Sequence, residues 1–148
     1  MTEPPALPVA FRPTRTRIVL VTVGVAVFAV LTVIALMLPT TAPGQRVSFI
    51  VTGLLFLGGL ILLSRPHVIA DESGVTVVNL TTRRHLEWAE VLGVHLRVGD
   101  PWVSLDLADG TSLPVMGIQP GIAKEAAIAD AAALRALAEK HGSGDTVR

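Results

Sequence analysis

Hydrophobic and polar positions along this chain follow three successive regimes. The first is uninterrupted apolarity. Ile18 to Leu38, "IVLVTVGVAVFAVLTVIALML", holds 21 residues without a charge, and Val47 to Leu63, "VSFIVTGLLFLGGLILL", holds 17. As helices rising about 1.5 Å per residue these runs reach ~31 Å and ~25 Å, the range that crosses a bilayer's hydrocarbon core. Between them "PTTAPGQR" carries Pro39, Pro43 and Gly44, turn formers that stop one helix and reverse the chain. A transmembrane helical hairpin is predicted, with helices over 18–38 and 47–63 and a short extracytoplasmic loop over 39–46.

The second regime alternates with period two. Val75 and Val77 flank Thr76; Leu86 and Trp88 alternate with His85 and Glu87; Val94, Leu96 and Val98 alternate with His95 and Arg97; Val103, Leu105 and Leu107 alternate with Ser104, Asp106 and Ala108. This pattern buries one face of each strand and wets the other. "ESG" at 72–74, "LTTR" at 80–83, "GDP" at 99–101 and "ADG" at 108–110 read as turns, and Asp109-Gly110 predicts a two-residue hairpin. About six short strands are expected, curled into a barrel or a pair of crossed sheets.

The third regime is helical. From 122 to about 141, Ile122, Ala126, Ala129 or Ile128, Leu134 and Leu137 recur at three- and four-residue steps, with Pro120 before them and Gly142 after. This predicts one amphipathic helix capping the sheet. The fold class is therefore an α+β membrane protein: a two-helix hairpin, then a small antiparallel β module with a C-terminal helix. So small a core needs large side chains, and Trp88, in "LEWAEVLGV", is its natural filler. It would end a strand facing inward with its indole N–H on a nearby carbonyl.

Charge changes the picture by its placement. Of 24 charged residues in 148, only Arg46 lies between Ile18 and Leu63. Arg12, Arg15 and Arg17 precede the first run, and Arg65, Arg83 and Arg84 follow the second. Basic residues near span ends stay cytoplasmic, so both termini are placed inside, at the plasma membrane. A signal peptide is the rival reading of the first run, with Thr40-Thr41-Ala42 as a weak cleavage site, but the run exceeds the usual apolar core of such peptides. Two buried helices of a soluble protein fail because the remaining chain is too short to cover them. Thr22, Ala26 and Ala29 on the first helix, and Ser48, Thr52 and Gly59 on the second, form small-residue faces suited to packing on each other or on another protein. Residues 1–17, with Pro4, Pro5, Pro8 and Pro13, read as a disordered cytoplasmic tail, and 143–148 as a flexible one.

A zero net charge gives no field that calls for nucleic acid. The absence of cysteine excludes disulfides, thiolate metal sites and a Cys nucleophile.

The segment "SRPHVIADESGVTVVNLTTRRHLEWAEVLGVHLRVGDPWVSLDLADGTSLPVMGIQ" closely resembles the actinobacterial membrane proteins with a bacterial PH-like domain, the low-molecular-weight protein antigen type. "FRPTRTR" and both apolar runs extend the likeness. The resemblance implies a PH-like domain over 66–142, with two orthogonal antiparallel sheets and a C-terminal helix. It implies a membrane location and supplies no catalytic residue. Phosphoinositide-binding eukaryotic members use a basic cluster in the first strand and its loop. That zone is read here as "HVIADESGVT", whose Asp71 and Glu72, without Lys or Arg, oppose lipid-phosphate binding.

Candidate chemistry is sparse. His67, His85, His95 and His141 lack ligand spacing for a metal, though His85 and His95 share an outward face if their strands are neighbours. No nucleophile elbow, P-loop or dinucleotide fingerprint occurs. Asp71, Glu72, Glu87 and Glu90 read as solvated turn residues rather than acid–base pairs. Arg83 and Arg84, at a hairpin tip, would touch anionic lipid headgroups or merely solubilise the turn. Trp102 in "GDPWVSLDL" is an interface anchor or a rim residue on the terminal helix. "LPVMGIQP" would offer a docking edge. The expectation is a non-catalytic binding or scaffolding module at the inner membrane face, without cofactor or metal. Its partners would be the lipid bilayer and a protein, not nucleic acid. The alternatives are an anionic-lipid sensor and an accessory subunit of a larger membrane complex.

Overall fold

A computed structural model describes residues 3–39 and 42–142. The expected cleavage site at 40–42 and the expected tail at 143–148 fall wholly or partly outside the described residues.

The chain divides into two compact units, 14–65 and the remainder. The first is a pair of helices, α1 (Thr14–Met37) and α2 (Pro43–Leu63), each long and apolar enough to cross a membrane. Both begin earlier than the charge-free runs, because helix continues through polar residues at the ends. Pro43 occupies the first turn of α2, where its missing N–H costs nothing. Arg46 lies inside α2 and reaches back to the Leu38 carbonyl at 3.4 Å. Thr32 and Ser48 donate their hydroxyls to the carbonyls four residues earlier, Phe28 and Gly44, at 2.8 and 2.9 Å, so neither polar group needs a partner outside its own helix.

The packing face of this pair differs from the one the small residues predicted. Thr22, Ala26, Ala29, Ser48, Thr52 and Gly59 all face outward. The seam runs instead through Gly24, Phe28 and Leu31 against Gly53, Leu57 and Leu60: a Cβ on Gly24 would meet Leu57 Cδ1 at 2.9 Å, and one on Gly53 would meet Phe28 Cδ2 at 3.0 Å. One glycine per helix forms a socket for the other helix's large side chain. Packing of this kind holds apolar helices together where no hydrophobic force acts between them.

Among the described residues the second unit holds seven strands and one α-helix. Strands β1 (Val9–Phe11), β2 (His67–Ala70), β3 (Gly74–Val78) and β4 (Arg83–Glu87) form one antiparallel sheet in sequential order. Strands β5 (Val91–His95), β6 (Val103–Leu107) and β7 (Ser112–Val115) form the other. The two sheets do not close into a barrel. The presumed tail is thus corrected. Val9 pairs with Ala70 and Phe11 with Val68, Phe11 is buried in the core, and Leu7 and Val9 pack on its edge. Four prolines hid a strand because the three residues that pair lie between Pro8 and Pro13, where no ladder donor is missing.

The core between the sheets takes Val68, Val75, Val77, Leu86, Val94, Val103, Leu105 and Val115. β3 is buried on both faces, Thr76 included. Gly74 is obligatory there, since a Cβ would fall 2.0 Å from the Leu86 carbonyl oxygen. The β6–β7 connection is a three-residue loop rather than the expected two. Gly110 N donates to the Leu107 carbonyl, Leu107 N donates to the Thr111 carbonyl, and Gly110 takes φ +84°, a β-turn closed by a glycine bulge. Val98 lies outside the core: β5 ends at His95, and the chain turns at Arg97–Asp100.

Helix α3 (Lys124–Gly142) packs on β5 and on the turn that follows β4. It buries Ala127, Ala131, Leu134, Leu137 and Ala138, not Ile122, Ala126, Ile128 or Ala129. The inward stripe has the predicted period but begins one residue away. Alanines let α3 approach the sheet closely, and the bulkier Ile128 is turned out.

Asn79 ties the sheets together. From the end of β3 its Nδ2 donates to the Pro114 carbonyl at 2.8 Å, and its Oδ1 accepts from Met116 N at 3.1 Å. Both bonds fall on the outer edge of β7, so "LPVMGIQP" is not an open docking edge at these groups. Asn79→Ala would leave a carbonyl and an N–H unpaired beside a buried site, at about 3 kcal/mol. Phe11→Ala would cost about the same by emptying the space under β1. Urea titration of the full chain in mild detergent, followed by tryptophan fluorescence, checks both; unchanged midpoints would refute these roles.

Candidate functional site

The turn between β2 and β3 collects more polar chemistry than any alternation revealed. Asp71 Oδ1 accepts from Ser73 N at 2.8 Å, Ser73 Oγ at 2.5 Å and Gly74 N at 3.0 Å. Ser73 Oγ lies 3.4 Å from His85 Nε2, and His85 Nδ1 lies 2.9 Å from Thr76 Oγ1. Asp71, Ser73 and His85 therefore meet, as the sequence alone could not show for residues fourteen positions apart.

The arrangement opposes nucleophilic catalysis. Activation requires the serine proton to face the imidazole. Here the single hydroxyl proton is directed to Asp71, and the far imidazole nitrogen meets a neutral threonine hydroxyl rather than an orienting carboxylate. The Ser73 hydroxyl, aided by the Ser73 and Gly74 N–H groups, holds the Asp71 carboxyl below its ordinary value of 3.8. This is how an Asx turn behaves.

The same turn seats Trp88. Its Nε1 donates to the Asp71 carbonyl at 2.9 Å, its ring is only 5% exposed, and His141 of α3 stacks on it at 5.5 Å between centroids. Trp88 does not end a strand. It opens a 3-10 turn, Trp88–Glu90, fixed by Glu90 Oε2 accepting from Glu87 N at 2.8 Å. Glu87 and Glu90 in "LEWAEVLGV" thus shape a turn that drives the indole inward.

The remaining candidates are dispersed. Arg83 and Arg84 lie exposed on β4. Arg84 faces Asp109 at 3.8 Å, and Asp109 is held below its usual carboxylate range mainly by the Thr111 hydroxyl, with Arg84 a lesser cause. Trp102 is half-buried just before β6, in the other sheet, so the structure does not gather it with the arginines on one strand pair. His85 and His95 also belong to different sheets. His95 Nε2 pairs with Asp106 Oδ2 at 2.8 Å. Among the described residues no cluster of three His, Cys, Asp or Glu side chains is placed to hold a metal.

What sequence reasoning missed is the groove system along α3. Arg135 donates through Nε and Nη2 to the Val94 carbonyl at 3.1 and 2.9 Å, capping the free edge of β5. On one side of it a groove of about 520 Å³ follows Val91–His95. On the other a more apolar groove of about 230 Å³ is lined by Leu96, Val98, Pro120, Ile128, Ala131 and Ala132 together with Arg97, Lys124 and Arg135. No period signalled it, because Ile128 fits the expected inward stripe and is exposed instead.

Two antiparallel sheets of four and three strands followed by one C-terminal helix define a PH-like module. Residues 65–137, just under half of the chain, match the family model described as bacterial PH domain. Uncharacterized proteins of Mycobacterium bovis and of two strains of Mycobacterium tuberculosis are each 36% identical over 89 residues, 60% of this chain. The match spans only 57% of each relative's length. No solved structure gives a significant match. The matched range begins after α2, so β1 lies outside it. The first strand of the module is therefore "VAF", not "HVIA", and the connection after it is the helical hairpin itself rather than "ADESG".

A carboxylate held low stabilises the fold when ionised. The Asp71 contribution is present above its ordinary value of 3.8 and is lost as pH falls through the lower folded value. Asp71→Asn should lower the thermal midpoint at neutral pH and flatten its decline below about pH 4. Calorimetry across that range checks the sign; a parallel decline in both proteins would refute it.

Proposed function

We propose that this protein is a membrane-anchored, non-catalytic binding or scaffolding module, held at the inner face of the bacterial plasma membrane with both termini in the cytoplasm. The observation that carries this reading is the pairing of β1 with β2. These strands stand on opposite sides of the two apolar helices in sequence, yet share one ladder. A chain that crosses a bilayer twice returns to the side it left; one that crosses once cannot form this sheet. Arg12, Arg15 and Arg17 around the start of α1, and Arg65 after α2, favour the cytoplasm as that side.

Single-cysteine mapping tests it, on a chain that has no cysteine of its own. Gly44→Cys should react with a membrane-impermeant maleimide on intact cells. Ala129→Cys, on the exposed face of α3, should react only after lysis. The reverse pattern, or release of the protein by carbonate without detergent, would sink the proposal.

A second reading makes the module an anionic-lipid sensor. It is supported by Arg83 and Arg84, exposed beside the β3–β4 turn, with Arg84 in a 3.8 Å contact to Asp109. Each basic residue near an anionic surface contributes about 1 kcal/mol. Cross-linking of the full chain in nanodiscs to photoactivatable phosphatidylserine should then fall several-fold in the Arg83→Gln/Arg84→Gln protein. Equal labelling of both proteins would remove the sensor reading.

A further inference from the structure

We infer that the groove between α3 and the turn after β5 is a docking site for an acidic protein segment that carries a bulky apolar side chain. The inference rests on the binding-module reading above and names the site and the chemistry of the partner.

Two independent features converge there. The first is misplaced apolarity. Outside α1, α2 and the residue following α1, the exposed large hydrophobic side chains of the described chain are Leu92, Val98, Ile122 and Ile128, at 70%, 102%, 54% and 50%. Val98 and Ile128 both line the groove, and Ile122 lies just before the α3 residues that form one wall. Those residues are Lys124, Ile128, Ala131, Ala132 and Arg135, at helical spacing. Solvent exposure of an isoleucine where an inward alanine stripe sits one residue away has no structural benefit to α3. A volume of about 230 Å³ suits one inserted side chain rather than a cofactor.

The second feature is unopposed charge. Arg97, Lys124 and Arg135 line the groove, and no carboxylate does. Arg135 is committed to the Val94 carbonyl. Among the described residues Arg97 and Lys124 form no ion pair. Asp100, the nearest acid in the turn, folds back to accept from Arg97 N at 2.9 Å. Lys124 stands in the first turn of α3, where the helix dipole disfavours a cation. A bound carboxylate would relieve that repulsion and pair with Arg97 on the facing wall. The site is concave and walled on two sides, which fits an inserted side chain better than a flat headgroup layer.

Panning random short phage-displayed peptides on the full chain in phosphatidylcholine nanodiscs tests the proposal. The expected outcome is enrichment of sequences joining Asp or Glu to Leu, Ile or Phe. Synthetic copies should bind Lys124→Glu and Ile128→Asp proteins at least about ten-fold more weakly, and Ala129→Asp, on another face, equally. All three positions are exposed, and unchanged thermal midpoints would show the variants folded. No enrichment above empty nanodiscs, enrichment without acidic bias, or binding indifferent to these substitutions would overturn it. So would anionic vesicles that lose binding in the same two variants while no peptide does, since the patch would then be a membrane contact. None of these failures touches the anchoring, which cysteine mapping reads separately.

Discussion

Three residues from before the helical hairpin and three from after it share an antiparallel ladder, and the rest of the arrangement depends on that pairing. Phe11 is buried by it, Val68 and Ala70 cease to be an edge, and the four-stranded sheet gains the width to cover the core. The loop it closes is long, which costs little more than a loop half its length, because closure entropy grows only with the logarithm of length. Most of that loop is itself ordered as two packed helices. In chain order the hairpin is therefore the connection between two paired strands of the module rather than a segment ahead of it. Any event that severs the chain between Phe11 and His67 would turn a covalent strand into a dissociable one.

Side chains, not further strands, finish the free edges of the three-stranded sheet. Asn79 occupies backbone groups of β7 and Arg135 occupies a carbonyl of β5. Both arrive from elements distant in sequence, so each acts at once as edge protection and as tertiary tie. Trp88 works the same way: its indole N–H joins the first turn of the module to the turn after β4, while its ring receives His141 from α3. With so small a core, these few polar ties carry a large share of the specificity of the fold.

Polar proximity and chemical competence are different things in this molecule. Asp71, Ser73 and His85 come together, but the direction of one hydroxyl proton makes them a turn. The apolar groove beside α3 shows the converse. No carboxylate lines it, Val98 and Ile128 are exposed there, and Arg97 and Lys124 form no ion pair among the described residues.

Much was legible from the residues in order. Charge segregation marked two helices long and apolar enough to cross a membrane, because the penalty for a charge in hydrocarbon acts on each residue regardless of its neighbours. Alternation located β6 and only part of β4 and β5, since Trp88 and Val98 lie beyond those strands, and the 3.6 period located α3, because each reports local geometry. The PH-like class followed from the resemblance of residues 65 onward. What only tertiary structure decided were pairings between distant segments. A three-residue strand between two prolines has no period to read. Which stripe of an alanine-rich helix turns inward depends on the surface it meets, and so the exposure of Ile128, and with it the groove, stayed hidden. The helix seam at Gly24 and Gly53 was likewise invisible, because two faces rich in small residues are equivalent until a partner's leucine or phenylalanine chooses one.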